Sequence, residues 1–147
     1  MKIIFLGLTG IHQTLIAAYY YLGYEPESDF INISGFADLD QEISGYPIYV
    51  GHDQFENMVY ALGCETDTLM VKKTIKELAD ILGSDDQIIV LPIFIPGEKL
   101  LMMLTKIAIL TGAGNWYFFL CRFIIKRSLP HIFTQAKKLH TIAASKN

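Results

Sequence analysis

The sequence predicts an α/β fold, a three-layer sandwich on a mostly parallel mixed sheet with one inserted β-hairpin. Three observations carry that expectation. The continuous apolar runs KIIFL and QIIVLPI have the composition of strands buried on both faces. They alternate with segments whose apolar residues recur at helical spacing, two of which stop at a glycine. The chain, 147 residues and 52% hydrophobic, is long enough for one core and shows no linker or internal repeat, so residues 1–147 read as a single domain.

Taken in order, Lys2–Leu6 is the first strand and Gly7 bounds it. Thr14–Leu22 is apolar nearly all round, which predicts a helix lying deep against the sheet and ending at Gly23. Residues 24–44 are acidic and turn-rich and read as a loop with a short strand at Phe30–Ile33. YPIYVG and NMVYALG flank the polar HDQFE and form the hairpin. Val71, Ile75, Leu78 and Leu82 mark an amphipathic helix over 68–82, with Lys73 and Glu77, and Lys76 and Asp80, four apart on its outer side. QIIVLPI is a strand, and Pro96-Gly97 opens a helix running to Leu110. Leu120–Ile125, β-branched and aromatic, reads as a further strand, and Leu129–Ala143 as a closing helix.

The first βα connection, Gly7-Leu8-Thr9-Gly10-Ile11-His12-Gln13-Thr14, looks like a phosphate-binding loop. A helix N-terminus after a strand offers free N–H groups and partial positive charge to an anion, and ligands of open α/β sheets bind at the carboxyl ends of the strands. Aligned on the pattern G-x-x-x-x-G-K-[ST], however, His12 replaces the second glycine and Gln13 the lysine. The chain therefore lacks the main cation of an ordinary P-loop nucleotidase. The candidate ligand-binding residues are Gly10, His12, Gln13 and Thr14, with Arg122 as a cation, since it interrupts a very apolar run. His12 is the candidate catalytic group, an imidazole tuned by the helix dipole, and it can equally be a structural residue. His52, Asp53 and Asn57 could support it if the hairpin folds over the same end of the sheet, although Asp53 and Asn57 are also ordinary turn formers. No short metal-ligand spacing is present, and no metal is expected.

Charge is divided along the chain. Residues 1–98 hold all 15 acids and 4 bases, and the remainder holds 8 bases and no acid. With the apolar excess, this suggests a homo-oligomer or an anion-binding face, or two halves that neutralise each other. Little beyond the basic final quarter points to nucleic acid, and Tyr19, Tyr20 and Tyr21 point three ways on a helix. No apolar run approaches the roughly 18–20 residues of a membrane span, so no membrane partner is expected. Cys64 and Cys121 form no CxxC pair and read as free thiols of a cytoplasmic protein.

MKIIFLGLTGIHQTLIAAYYYLG resembles the opening of a domain-of-unknown-function family of small proteins from spore-forming Gram-positive bacteria. That family begins with a strand, a Gly-Gly-x-His-Ser-Ser loop and an Ala-Ala helix. Gly10, His12, Thr14, Ala17, Ala18, Leu22 and Gly23 match, while Thr9 and Gln13 replace the other glycine and the first serine. Gly51-His52-Asp53 with Asn57-x-Val59-Tyr60-x-Leu62-Gly63 is similar to the family's hairpin, with Glu56 where that turn has glycine. Lys106-Ile107 and Arg122 also match, whereas Ala108-Ile109 replace a glycine pair. The resemblance implies the fold and no activity. Two functions remain in view: binding of a small anion such as a nucleotide or phosphometabolite, with phosphoryl transfer or phosphoester hydrolysis as the suited chemistry, or a non-catalytic regulatory or protein-interaction module. The resemblance attaches a sporulation-linked role to the second.

Overall fold

The computed structural model describes residues 1–25 and 30–146. Four strands, β1 (Lys2–Gly7), β2 (Ile48–His52), β3 (Met58–Gly63) and β4 (Ile88–Pro92), form one open mixed sheet in the order β2-β3-β1-β4. β1 runs parallel to β3 and β4, and β2 pairs antiparallel with β3 as the inserted hairpin. Five helices complete the α/β fold: α1 (Gln13–Tyr21), α2 (Leu39–Ser44), α3 (Thr68–Ile81), α4 (Glu98–Thr111) and α5 (Asn115–Lys146).

Strand alternation decides which side chains enter the main core. Ile3 and Phe5 of β1, Val59 of β3 and Ile89 of β4 share it with Ile16, Ala17 and Ala18 of α1. α1 is apolar all round because α5 covers its other side: Tyr20 stacks on Phe133 at 4.3 Å between ring centres, and Tyr21 on His140 at 4.6 Å. Gly23 ends the helix at φ 91°, a conformation glycine adopts without strain. α3 packs chiefly on β4 and touches β1. Its N-terminus is fixed by Asp67, whose carboxylate accepts from the Leu69 and Met70 N–H groups, a cap worth about 1 kcal/mol.

Two parts differ from the sequence expectation. Phe30–Asn32 forms a 3-10 turn where a strand over 30–33 was expected, and α2 follows it; residues 26–29 of the same acidic stretch lie outside the described residues. Leu120–Ile125 is helical, inside the long α5. Its aromatic composition suits a strand, but Tyr117, Cys121, Ile125, Leu129, Ile132, Ala136 and Leu139 are buried at intervals of three and four, which only a helix can present to one core. Pro130 lies within α5 on its exposed side. Lacking an N–H, it forgoes one helical hydrogen bond, to the carbonyl of Lys126.

The hairpin turn is organised by Asp53. Its Oδ1 accepts from the N–H groups of Phe55 and Asn57, and its Oδ2 from Asn57 Nδ2 and the Tyr21 hydroxyl at 2.8 Å each. Glu56 in this turn has φ 59°, a left-handed backbone in a non-glycine residue. Glu56→Gly removes that strain at the cost of a more flexible unfolded chain, so a net gain of about 0.5–1 kcal/mol is expected in urea unfolding. A loss of stability would show that the turn is not strained there.

Candidate functional site

The loop leaving β1 turns its polar side chains inward. Gly7 allows this, because a Cβ there would lie 2.8 Å from Thr14 Cγ2 and 2.9 Å from Gln13 Nε2, where the first turn of α1 closes on the strand end. Thr9, His12, Gln13 and Thr14 are all buried, and His12 is fully so. His12 Nδ1 lies 2.9 Å from Thr9 Oγ1, and its Nε2 lies 3.1 Å from the Tyr117 hydroxyl of α5, which in turn meets Thr105 of α4 at 3.2 Å. Thr9 donates its only hydroxyl proton to Gln13 Oε1 at 3.1 Å. His12 Nδ1–H therefore donates to Thr9, and Tyr117 donates to His12 Nε2. Both ring nitrogens are used, and burial pushes the imidazole down to about 3, so it is neutral at physiological pH.

Outside this sealed network lies a crevice between the carboxyl ends of β1 and β3. Gly10 and Gly63 meet there so closely that a Cβ on Gly63 would stand 2.5 Å from the Gly10 nitrogen. A carboxylate fills the remaining space. Gly10 N–H donates to Glu42 Oε2 at 2.9 Å, and the Ile11 N–H lies near enough to favour the charged form of this group. The other oxygen lies 2.8 Å from where a Gly63 Cβ would be. Burial raises the Glu42 carboxyl to about 7, against the two amide donors, and the neighbouring Glu65 charge adds to the rise. The cavity left beside it, bounded by Gly10, Glu42, Gly45, Tyr46 and Gly63, is about 10 Å³, hardly room for one water. Lys106 of α4 reaches Glu65 at 3.9 Å and is a cation at this mouth.

The candidate residues thus separate. Gly10 faces the crevice, whereas His12 is locked in the interior and Thr14 donates its hydroxyl to the Thr9 carbonyl at 3.0 Å. Gln13 Nε2 is buried with no hydrogen-bond partner. Arg122 projects to solvent from α5, beside the buried Cys121, and shares no contact with the loop. His52, Asp53 and Asn57 lie at the opposite end of the sheet, because the register pairs Met58 with Lys2 at the start of β1 and the loop leaves from its end. There Asp53, Tyr21, His52 and His140 line an open cleft of about 450 Å³. Burial opposes the Asp53 charge, but its bonds from Asn57, Tyr21 and Phe55 prevail and hold the carboxyl below its usual range. Among the described residues no group of three or more metal-ligating side chains converges. Glu42, Gly63 and Lys106 are the crevice residues that sequence reasoning did not select. Glycines at the matching ends of β1 and β3, Gly7 and Gly63, were the available signal for Gly63.

A family model described as protein of unknown function (DUF3189) matches residues 2–140. The chain belongs to that family. The match spans the sheet, the Gly10–Gly63 crevice and nearly all of α5, so the whole arrangement described above lies within the family domain. No curated protein and no solved structure matches the chain.

The two buried titrating groups give opposite pH slopes. His12 takes up a proton only on unfolding, so between about 6.5 and about 3 stability falls as pH falls, by about 1.4 kcal/mol per pH unit. Glu42 holds a proton in the folded state that the unfolded chain has released, so between about 4.5 and about 7 stability falls as pH rises. In wild type the two nearly cancel from about 4.5 to about 6.5. Urea unfolding of Glu42→Gln should expose the His12 slope, with stability rising with pH across that window; a flat profile would mean that His12 is not held neutral.

Proposed function

We propose that the crevice between β1 and β3 is a binding site for a small phosphate- or carboxylate-bearing ligand, and that Glu42 holds the site in its absence. One observation carries the reading: a carboxyl oxygen of Glu42 already accepts from the backbone N–H of Gly10, with the Ile11 N–H beside it. Successive main-chain N–H groups at a turn into a helix form a concavity suited to anions. The topology supports the same place. With right-handed crossovers, the chain leaves β1 and β3 toward opposite faces of a three-layer sandwich, and the gap between such strand ends is where doubly wound sheets receive ligands.

In this reading the loop is P-loop-like in its backbone and unlike a P-loop in its charges. The ligand displaces Glu42, and Lys106, close by on Glu65, supplies the cation that Gln13 cannot. α2 is suited to move, since none of its residues is buried and it is bounded by left-handed residues, Ala37 at φ 54° and Gly45 at φ 68°. His12, Gln13 and Thr14 shape the seat from inside, with His12 positioning the loop. The reading assigns binding and no reaction step.

A thermal-shift series with phosphate, sulfate, nucleotides and sugar phosphates, with and without magnesium, tests it. A ligand at a hundred times its Kd stabilises by about 2.7 kcal/mol. Glu42→Ala removes the internal competitor and should bind the effective anion at least tenfold more tightly than wild type, with the difference widening above about pH 7 as Glu42 ionises. If no anion stabilises either protein, the crevice is structural and Glu42 is only a loop anchor.

A further inference from the structure

Between Lys106 and Arg122 the sequence has fifteen consecutive residues without a charge, IAILTGAGNWYFFLC. The fold makes this stretch the end of α4, a glycine turn and the start of α5. The two helices run antiparallel, since Thr105 meets Tyr117 and a Cβ on Gly97 would touch Ile124. Tyr117 is tied to His12, so the hairpin is anchored over the carboxyl end of β1. Past that anchor α4 continues for six residues, Lys106–Thr111, an extension of about 9 Å.

Only part of this tip turns inward. Ala108, Tyr117 and Cys121 are buried, while Ile107, Leu110, Trp116, Phe118 and Phe119 are exposed, Leu110 by 85% and Phe119 by 69%. Exposed bases flank these side chains along the chain: Lys106 and Arg122 bracket the stretch, with Lys99, Lys126 and Arg127 farther along the two helices. Arg127 lies over the Phe123 ring at 5.6 Å. Acids near this side include Glu98 at the start of α4, Glu65, which is engaged with Lys106, and Glu42, which acts on Tyr117. Two tips of this kind pressed together about a twofold axis would bring the flanking bases together, and that repulsion argues against a second copy as occupant. Aromatic and aliphatic side chains flanked by bases instead match an anionic lipid surface. The apolar part reaches roughly 5–10 Å into the headgroup and acyl boundary, and the bases meet the phosphates.

We propose that the α4–α5 tip is a membrane-surface anchor that seats Leu110, Trp116 and Phe119 in the interface of an anionic bilayer. Surface seating requires no span, and among the described residues no helix is long and apolar enough to cross a membrane. The inference revises the sequence-based expectation of no membrane partner for surface contact alone.

Trp116 is the only tryptophan of the chain and reports directly on the tip. The full chain is mixed with vesicles of phosphatidylcholine alone or with about one-third phosphatidylglycerol, and followed by Trp116 emission and flotation. The expected result is a blue shift and flotation with the anionic vesicles only, weakening at least tenfold in molar salt, where the Debye length falls to about 3 Å. Leu110→Glu and Phe119→Glu, exposed positions whose folding is checked by circular dichroism, should lose flotation. Arg122→Gln with Lys126→Gln should weaken it. Absence of any shift with anionic vesicles at low salt, or undiminished flotation of Phe119→Glu, overturns the proposal. A blue shift that grows with protein concentration without lipid, together with a dimer mass in light scattering, would also overturn it and assign the tip to a second copy.

Discussion

The neutral imidazole of His12 is the constraint on which the rest of the structure depends. It joins the loop after β1 to α5 through Tyr117, whose hydroxyl also lies beside Thr105 of α4, itself donating to the Leu101 carbonyl. The loop is distant in sequence from the α4–α5 hairpin, and these polar side chains meet in a contact that is otherwise largely apolar. An uncompensated charge there would cost several kcal/mol, and an unpaired hydroxyl about 1–3 kcal/mol. Each group is therefore acceptable only because the next one is present. The path of the loop follows: with Thr9 and His12 drawn inward, the N–H groups of Gly10 and Ile11 are left facing the gap above β3.

That gap sets the character of the crevice. Gly10 and Gly63 approach so closely that neither can carry a side chain without displacing backbone. What remains is a narrow seat in which the amide donors favour a negative oxygen while burial opposes it. Glu42 answers that demand from within the chain, with a carboxyl near its midpoint of ionisation at neutral pH. A group so balanced is a weak occupant, and α2, which carries it, has no fully buried residue and touches the core through half-buried Leu39. The same hairpin that receives the His12 network projects the uncharged tip beyond Lys106, so crevice loop and apolar tip share one anchor at Tyr117.

Much of the fold was legible because period and composition agreed. Lys2–Gly7, Ile88–Pro92 and the β2–β3 hairpin lie where apolar runs and turn residues place them, and α3 spans the segment its spacing marked, although Leu78 and Leu82 of that stripe are exposed. The segment Leu120–Ile125 misled because its β-branched and aromatic residues fit a strand, while the spacing of Tyr117, Cys121 and Ile125 carried the helical information. α2 escaped because six residues with no buried position have no hydrophobic period, although Asp38 and Gly45 stand as its caps. The site was half legible. Gly10 was accessible to pattern reasoning as a turn glycine, but its partner Glu42 lies 32 residues away, and only the sheet order brings β3 beside β1. Local sequence likewise could not tell that His12 faces inward, since its orientation is set by Tyr117, 105 residues later.

The central claim is that one seat on the Gly10 and Ile11 amides serves both Glu42 and an external anion. The most direct measurement is the position of those two amide resonances in nitrogen–proton correlation spectra, first across pH and then against an added anion at fixed pH. The account predicts that both resonances move with a midpoint near 7 in wild type, lose that titration in Glu42→Gln, and respond to a phosphate-bearing ligand in both proteins. Amides that follow Glu42 with pH but stay fixed under every anion would contradict it, leaving the contact as an internal tether and the crevice without a ligand.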